Sequence, residues 1–119
     1  MNSAQGHSAQ GPAPILVYVT YPSLAEAERA GRAIVERRLA ACVNILPGMV
    51  SHYWWQGRLE RGEEVVAIFK TRAPLGEQVA AAVRETHSYA TPAILFMPVE
   101  GGDADYLAWI AAETKDAMT

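Results

Sequence analysis

Two stretches of the chain are apolar at nearly every position: Ile15 to Tyr21 (ILVYVTY) and Val65 to Phe69 (VVAIF). A strand wetted on one side alternates apolar and polar residues, so unbroken runs of this length predict strands covered on both faces. Between them the period changes. Ser23 followed by Glu26 has the form of a capping box. Leu24, Ala27, Gly31, Ile34, Val35 and Leu39 then form one stripe at helical spacing, predicting a helix to about Leu39. Ala41 to Trp55 is rich in β-branched and aromatic residues and predicts a long strand, bulged at Pro47-Gly48. Gln56-Gly57 predicts a hairpin turn. The return strand starts at Arg58 and resumes after the charged Arg61 to Glu64. Pro74 opens a second predicted helix with Leu75, Val79, Ala82, Val83 and Thr86 inward. A third apolar strand spans Ala93 to Val99. Asp103 caps a last helix that buries Leu107, Ile110 and Ala111.

Strand, helix, strand hairpin, helix and strand in that order predict an α+β, ferredoxin-like βαββαβ sandwich with an extra C-terminal helix. The first and third strands belong inside the sheet and the second and fourth at its edges. Pro47 and Pro98 agree, falling in the two edge strands. Residues 1–14 are polar and rich in Gly and Pro, and are expected to form a flexible tail ahead of a single domain at residues 15–119.

Two crossover helices cover one face of such a sheet, yet several strands are apolar on both. Trp54 and Trp55 are adjacent in a strand and point to opposite faces. Each carries about 150–250 Å² of surface to bury. One short terminal helix is too small for that face, so a second copy of the chain is expected to cover it. The hairpin carrying Tyr53, Trp54 and Trp55 is the expected interface.

Composition narrows the function. The 119 residues carry a net charge of -3, which argues against nucleic-acid partners. Cys42 is the only cysteine, excluding an intrachain disulfide and any CxxC site. No run approaches membrane-spanning length, and the N-terminus lacks the basic and apolar regions of a signal peptide. A cytoplasmic protein without membrane association is expected. No nucleophile elbow, P-loop or Gly-rich dinucleotide motif is present, and nothing arranges Ser, His and Asp as a triad, so no enzymatic activity is expected.

Five motifs, Leu39 to Ile45 (LAACVNI), Tyr53 to Glu60 (YWWQGRLE), Phe69 to Thr71 (FKT), His87 to Ala93 (HSYATPA) and Asp105 to Ile110 (DYLAWI), together resemble the CutA divalent-cation tolerance family over residues 15 to 113. The resemblance implies a ferredoxin-like fold in a tight homotrimer and a role in tolerance of copper and other divalent cations. It also implies an architecture like that of the trimeric PII signalling proteins. The family pattern His-Pro-Tyr followed by Pro-Glu is matched at His87, Tyr89 and Pro92. Ser88 and Ala93 depart from it, and Val19 stands where some members have cysteine.

His87 is the candidate metal ligand, with His52 or Glu85 as further donors for copper or another divalent cation; the competing role is a hydrogen-bonded residue at a helix end. Cys42 is either a soft copper ligand or a small buried hydrophobe. Lys70, ending an apolar strand, is a candidate for binding an anion at a subunit cleft, with Tyr89, Tyr106 and Trp109 as aromatic walls. Glu60, Glu63 and Glu64 either collect cations or are simply solvated. The reading is a non-enzymatic homotrimer for divalent-cation tolerance. The alternative is a PII-like module that binds a small anion through Lys70 and docks a partner protein.

Overall fold

The strong β-formers at both ends of the chain meet in one sheet. A computed structural model describes residues 13–117. Its elements are β1 (Pro14–Tyr21), α1 (Leu24–Glu36), β2 (Cys42–Trp55), β3 (Arg58–Arg72), a 3-10 turn (Ala73–Leu75) leading into α2 (Gly76–Thr86), β4 (Ile94–Pro98) and α3 (Ala104–Glu113). The sheet order is β2-β3-β1-β4, antiparallel throughout. This is the ferredoxin-like α+β arrangement, with Pro47 and Pro98 in the two edge strands and Pro14 at the first position of the inner strand β1. Pro14 already pairs with Arg72, so β1 begins inside the expected tail; residues 1–12 lie outside the described residues.

Local chemistry sets each boundary. Ser23 Oγ accepts the Glu26 amide at 3.2 Å, and Ser23→Ala is expected to cost about 1 kcal/mol, read as a lower urea midpoint. Glu26 does not complete a capping box; its carboxylate is used elsewhere. α1 stops at Glu36, short of Leu39, because Arg38 turns left-handed (φ 62). The Arg38 amide donates to Val35 O and the Leu39 amide to Ile34 O, a Schellman closure. Arginine in the place where glycine is usual hides this stop from a sequence reader. Gln56 (φ 51) and Gly57 (φ 78) make the tight turn between β2 and β3. Between Leu46 and Met49 the pairing slips, as the Pro47-Gly48 pair predicts.

The core lies between the sheet and the helices. Val17, Val19 and Tyr21 of β1 and Ala67 and Phe69 of β3 pack against Ala27 and Ile34 of α1 and Val79 and Val83 of α2. Leu24 and Thr86 stay exposed, contrary to the helical stripes, since they sit at the helix ends. Ala111 is exposed too, and α3 buries Ile110.

The opposite face is poorly covered. By alternation it carries Leu16 and Tyr18, Ile68 and Lys70, Leu46, and Leu95 and Met97. Leu46 is 51% and Leu95 58% exposed. α3 reaches one end of this face only. Its C-terminal side is pinned by Arg38 to Glu113 at 2.7 Å, by Arg72 Nε to Thr114 Oγ1 at 2.8 Å and by Gln78 to the Ala117 carbonyl at 3.2 Å.

β1 pairs with β3 only from Val65 onward. The remainder of the β2–β3 hairpin is therefore, among the described residues, a two-stranded ribbon with no third strand beside it. Such a ribbon is marginal alone in water. It nevertheless displays Trp54 at 73% and Leu59 at 63% exposure on one face, with Tyr53 and Trp55 exposed on the other.

Candidate functional site

The sequence candidates fall into two groups at opposite ends of β1. The first gathers where β1 ends. α2 terminates at Thr86 with His87 as its C-cap, and the His87 ring turns inward until its side chain is fully buried. It stacks on Tyr21, ring centroids 4.4 Å apart, and lies 4.9 Å from the Tyr89 ring. Nε2 stands 2.7 Å from the Thr20 carbonyl, which can only accept, so Nε2 donates. Nδ1 accepts the Tyr89 amide at 3.1 Å. Glu26 Oε2 lies 3.7 Å from Nδ1, and the same carboxylate accepts the Ser88 amide and the Ser88 hydroxyl, both at 2.9 Å. Ser88 stands where the family pattern has proline, and it uses two donors that proline lacks.

From there the loop passes around the strand end to the other face. The Tyr89 hydroxyl donates to Glu64 Oε2 at 3.0 Å, and Ser51 donates to the other oxygen at 3.0 Å. Burial, and then its hydrogen bond to the Glu64 carboxylate, push the Tyr89 phenol up to about 12. Burial, with Glu26 adding, does the same to Tyr21. The Tyr21 hydroxyl is buried and has no hydrogen-bond partner among the described residues.

These shifts have a sign. A phenol whose folded pKa lies above its unfolded value of about 10 contributes stability that is complete below pH 10. That contribution is lost as pH rises toward 12. Thermal melts are expected to fall across this window, and less steeply in Tyr21→Phe. Below pH 9 that variant is expected to be at least as stable as the wild type, since an unpartnered buried hydroxyl is costly.

The surroundings of His87 do not fit a metal centre. Its Nε2 proton faces a carbonyl, its Nδ1 lone pair is taken, and neither nitrogen faces solvent. The other expected donors lie elsewhere. His52 pairs across the ribbon with Arg61, whose charge opposes a cation, and Glu85 lies 3.6 Å from Arg37. Val19 is in the core. Among the described residues no three His, Cys, Asp or Glu side chains gather to hold an ion. The hairpin acids are engaged as well: Glu63 with Arg61 at 3.3 Å, Glu60 with Arg58 at 4.0 Å, and Glu64 as above.

The second group lies at the other end of the sheet. Lys70 sits opposite Leu16 on the thinly covered face, and α3 brings Tyr106 to it. Lys70 Nζ donates to the Tyr106 hydroxyl at 2.9 Å and lies 5.2 Å from that ring's centroid. Trp109, one turn further along α3, stacks with Tyr106 at 5.5 Å. The hydrogen bond that Lys70 donates to Tyr106 raises the pKa of Lys70. Cys42 is its direct neighbour on β2, with Asn44 Nδ2 3.8 Å from the sulfur.

Three of the four expected cleft residues thus come together. Tyr89 does not join them within the chain. Antiparallel pairing puts Lys70 beside Leu16, while Tyr89 is tied through His87 to Tyr21, roughly 17 Å away along β1. Sequence reasoning missed the second role of Glu26. The one available signal is the serine after His87, which offers donors that an acid must accept.

The model of the CutA1 divalent ion tolerance protein family matches residues 15–113. The divalent-cation tolerance protein CutA of Archaeoglobus fulgidus is 45% identical over 94 residues, covering 79% of this chain and 91% of that protein. The chloroplastic protein CutA 1 of Oryza sativa subsp. japonica is 37% identical over 97% of this chain, which spans 66% of that longer protein. A solved structure described as the periplasmic divalent cation tolerance protein CutA from Archaeoglobus fulgidus superposes with a TM-score of 0.83 at 41% identity, covering 86% of this chain and 99% of that one.

Proposed function

Because the chain belongs to the CutA1 divalent ion tolerance protein family, we propose that it acts in divalent-cation tolerance as a non-enzymatic homotrimer in the cytoplasm. The observation that carries the assembly is the exposed apolar surface, Leu46 and Leu95 on the sheet and Trp54, Trp55 and Leu59 on the ribbon. Surface of this kind is buried against another subunit in stable oligomers. The choice of three copies follows the family resemblance. The lone Cys42, which can form no intrachain disulfide, supports a reducing compartment.

Copper or another divalent ion is the cation the family name points to. Both His87 nitrogens are engaged in hydrogen bonds, which argues against that ring as the ligand; the ion is proposed to take donors from more than one subunit. Calorimetric titration of copper(II) into metal-free protein tests this, in a His7→Ala background so that His7 does not compete. Weak binding that survives His87→Gln is expected. Binding abolished by His87→Gln in a folded protein would place the ion on His87 after all. The Archaeoglobus fulgidus relative is a divalent-cation tolerance protein by name, which does not favour the PII-like alternative.

A further inference from the structure

Lys70 has no carboxylate partner among the described residues, although it lies on the apolar face of an acidic protein. Its ammonium donates one hydrogen to Tyr106 Oη. A phenol oxygen that accepts from an ammonium must send its own proton elsewhere, and Tyr106 donates to no group among the described residues. Lys70 keeps two further N–H donors. An ammonium and a hydroxyl 2.9 Å apart therefore both keep donors without an acceptor among the described residues. Beside them the rings of Tyr106 and Trp109, stacked 5.5 Å apart with a 29° tilt, are each 41% exposed and leave aromatic surface open to solvent.

We infer that Lys70, Tyr106 and Trp109 form a carboxylate-binding site, in which the ammonium and phenol hold the carboxylate and the exposed aromatic surface beside them contacts its apolar body. The donors and the rings of the site all come from one chain. The hydrogen bond to Tyr106 favours the charged form of Lys70, and charge-assisted bonds to a carboxylate are the strongest such a pair makes. The carboxylate belongs either to a free small molecule or to a side chain of a neighbouring copy, and the test separates the two.

Benzoate is titrated into the full-length protein while the Trp109 indole N–H resonance is followed, with benzyl alcohol as the neutral control. The resonance is assigned from the Trp109→Phe spectrum. A free carboxylate predicts saturable shifts with benzoate alone. Affinity should fall at least about tenfold in Lys70→Met and severalfold in Tyr106→Phe, which keeps the ring. A neighbour's carboxylate predicts no benzoate binding to the wild type. In its place, Lys70→Met and Tyr106→Phe should weaken self-association, with an effect that fades at high salt. Benzoate binding unchanged in Lys70→Met overturns the inference. So does an absence of benzoate binding together with unaltered association in both variants.

Discussion

Replacing Trp54 and Trp55 together by alanine is expected to dissociate the assembly into folded monomers at micromolar concentration. Neither indole contributes to the core, so each chain should keep its fold and its circular dichroism. Their effect is expected at the proposed interface. Buried tryptophans at the centre of an interface typically cost about 2 kcal/mol or more each when truncated, roughly thirtyfold in an association constant. The two point to opposite faces of the ribbon, so they are expected to meet different surfaces of neighbouring copies and to contribute independently. Association measured by sedimentation for each single variant and for the pair reads this directly. If the pair associates as tightly as the wild type, the ribbon is not the element that joins subunits.

His87→Ala is expected to act on the other level, the folding of each chain. The substitution removes the donor to the Thr20 carbonyl and the acceptor of the Tyr89 amide, and it opens a void between Tyr21 and Tyr89. Losing buried hydrogen bonds and a packed ring together is worth about 3–4 kcal/mol. The urea midpoint should drop accordingly, while folded chains associate with nearly wild-type affinity. His87→Gln, which keeps a donor and an acceptor, should recover part of the loss. An indole variant and His87→Ala with equal effects on association would undo the division between interface and fold.

The βαββαβ order, the inner and outer strands and the bulge were legible because each rests on local signals: unbroken apolar runs, a Ser cap, Pro47 and Pro98 within the edge strands and an x-Gly turn. The end of α1 was not. Arg38 adopts a glycine-like conformation, and the contacts that hold it there come from Glu113, 75 residues later. The uncovered face was legible by subtraction, since two helices cannot clothe two sides of a sheet.

The candidate site was harder to read, for a physical reason. Spacing shows that His87, Glu26 and Glu64 exist, but tautomer and hydrogen-bond direction depend on which carbonyl the ring meets. Only the Thr20 carbonyl settles how the His87 nitrogens are used. Likewise Tyr89 and Tyr106 look alike as aromatic residues in motifs. The antiparallel register sends them to opposite ends of β1.

The most direct test of the account is the mass of the full-length wild-type protein in solution, measured by sedimentation equilibrium over a range from nanomolar to micromolar. A single species at three times the chain mass, lost in the Trp54→Ala/Trp55→Ala pair, is the expected result. A wild-type protein that remains a monomer throughout would contradict it, because the apolar face and ribbon would then stand in water with no partner copy to cover them.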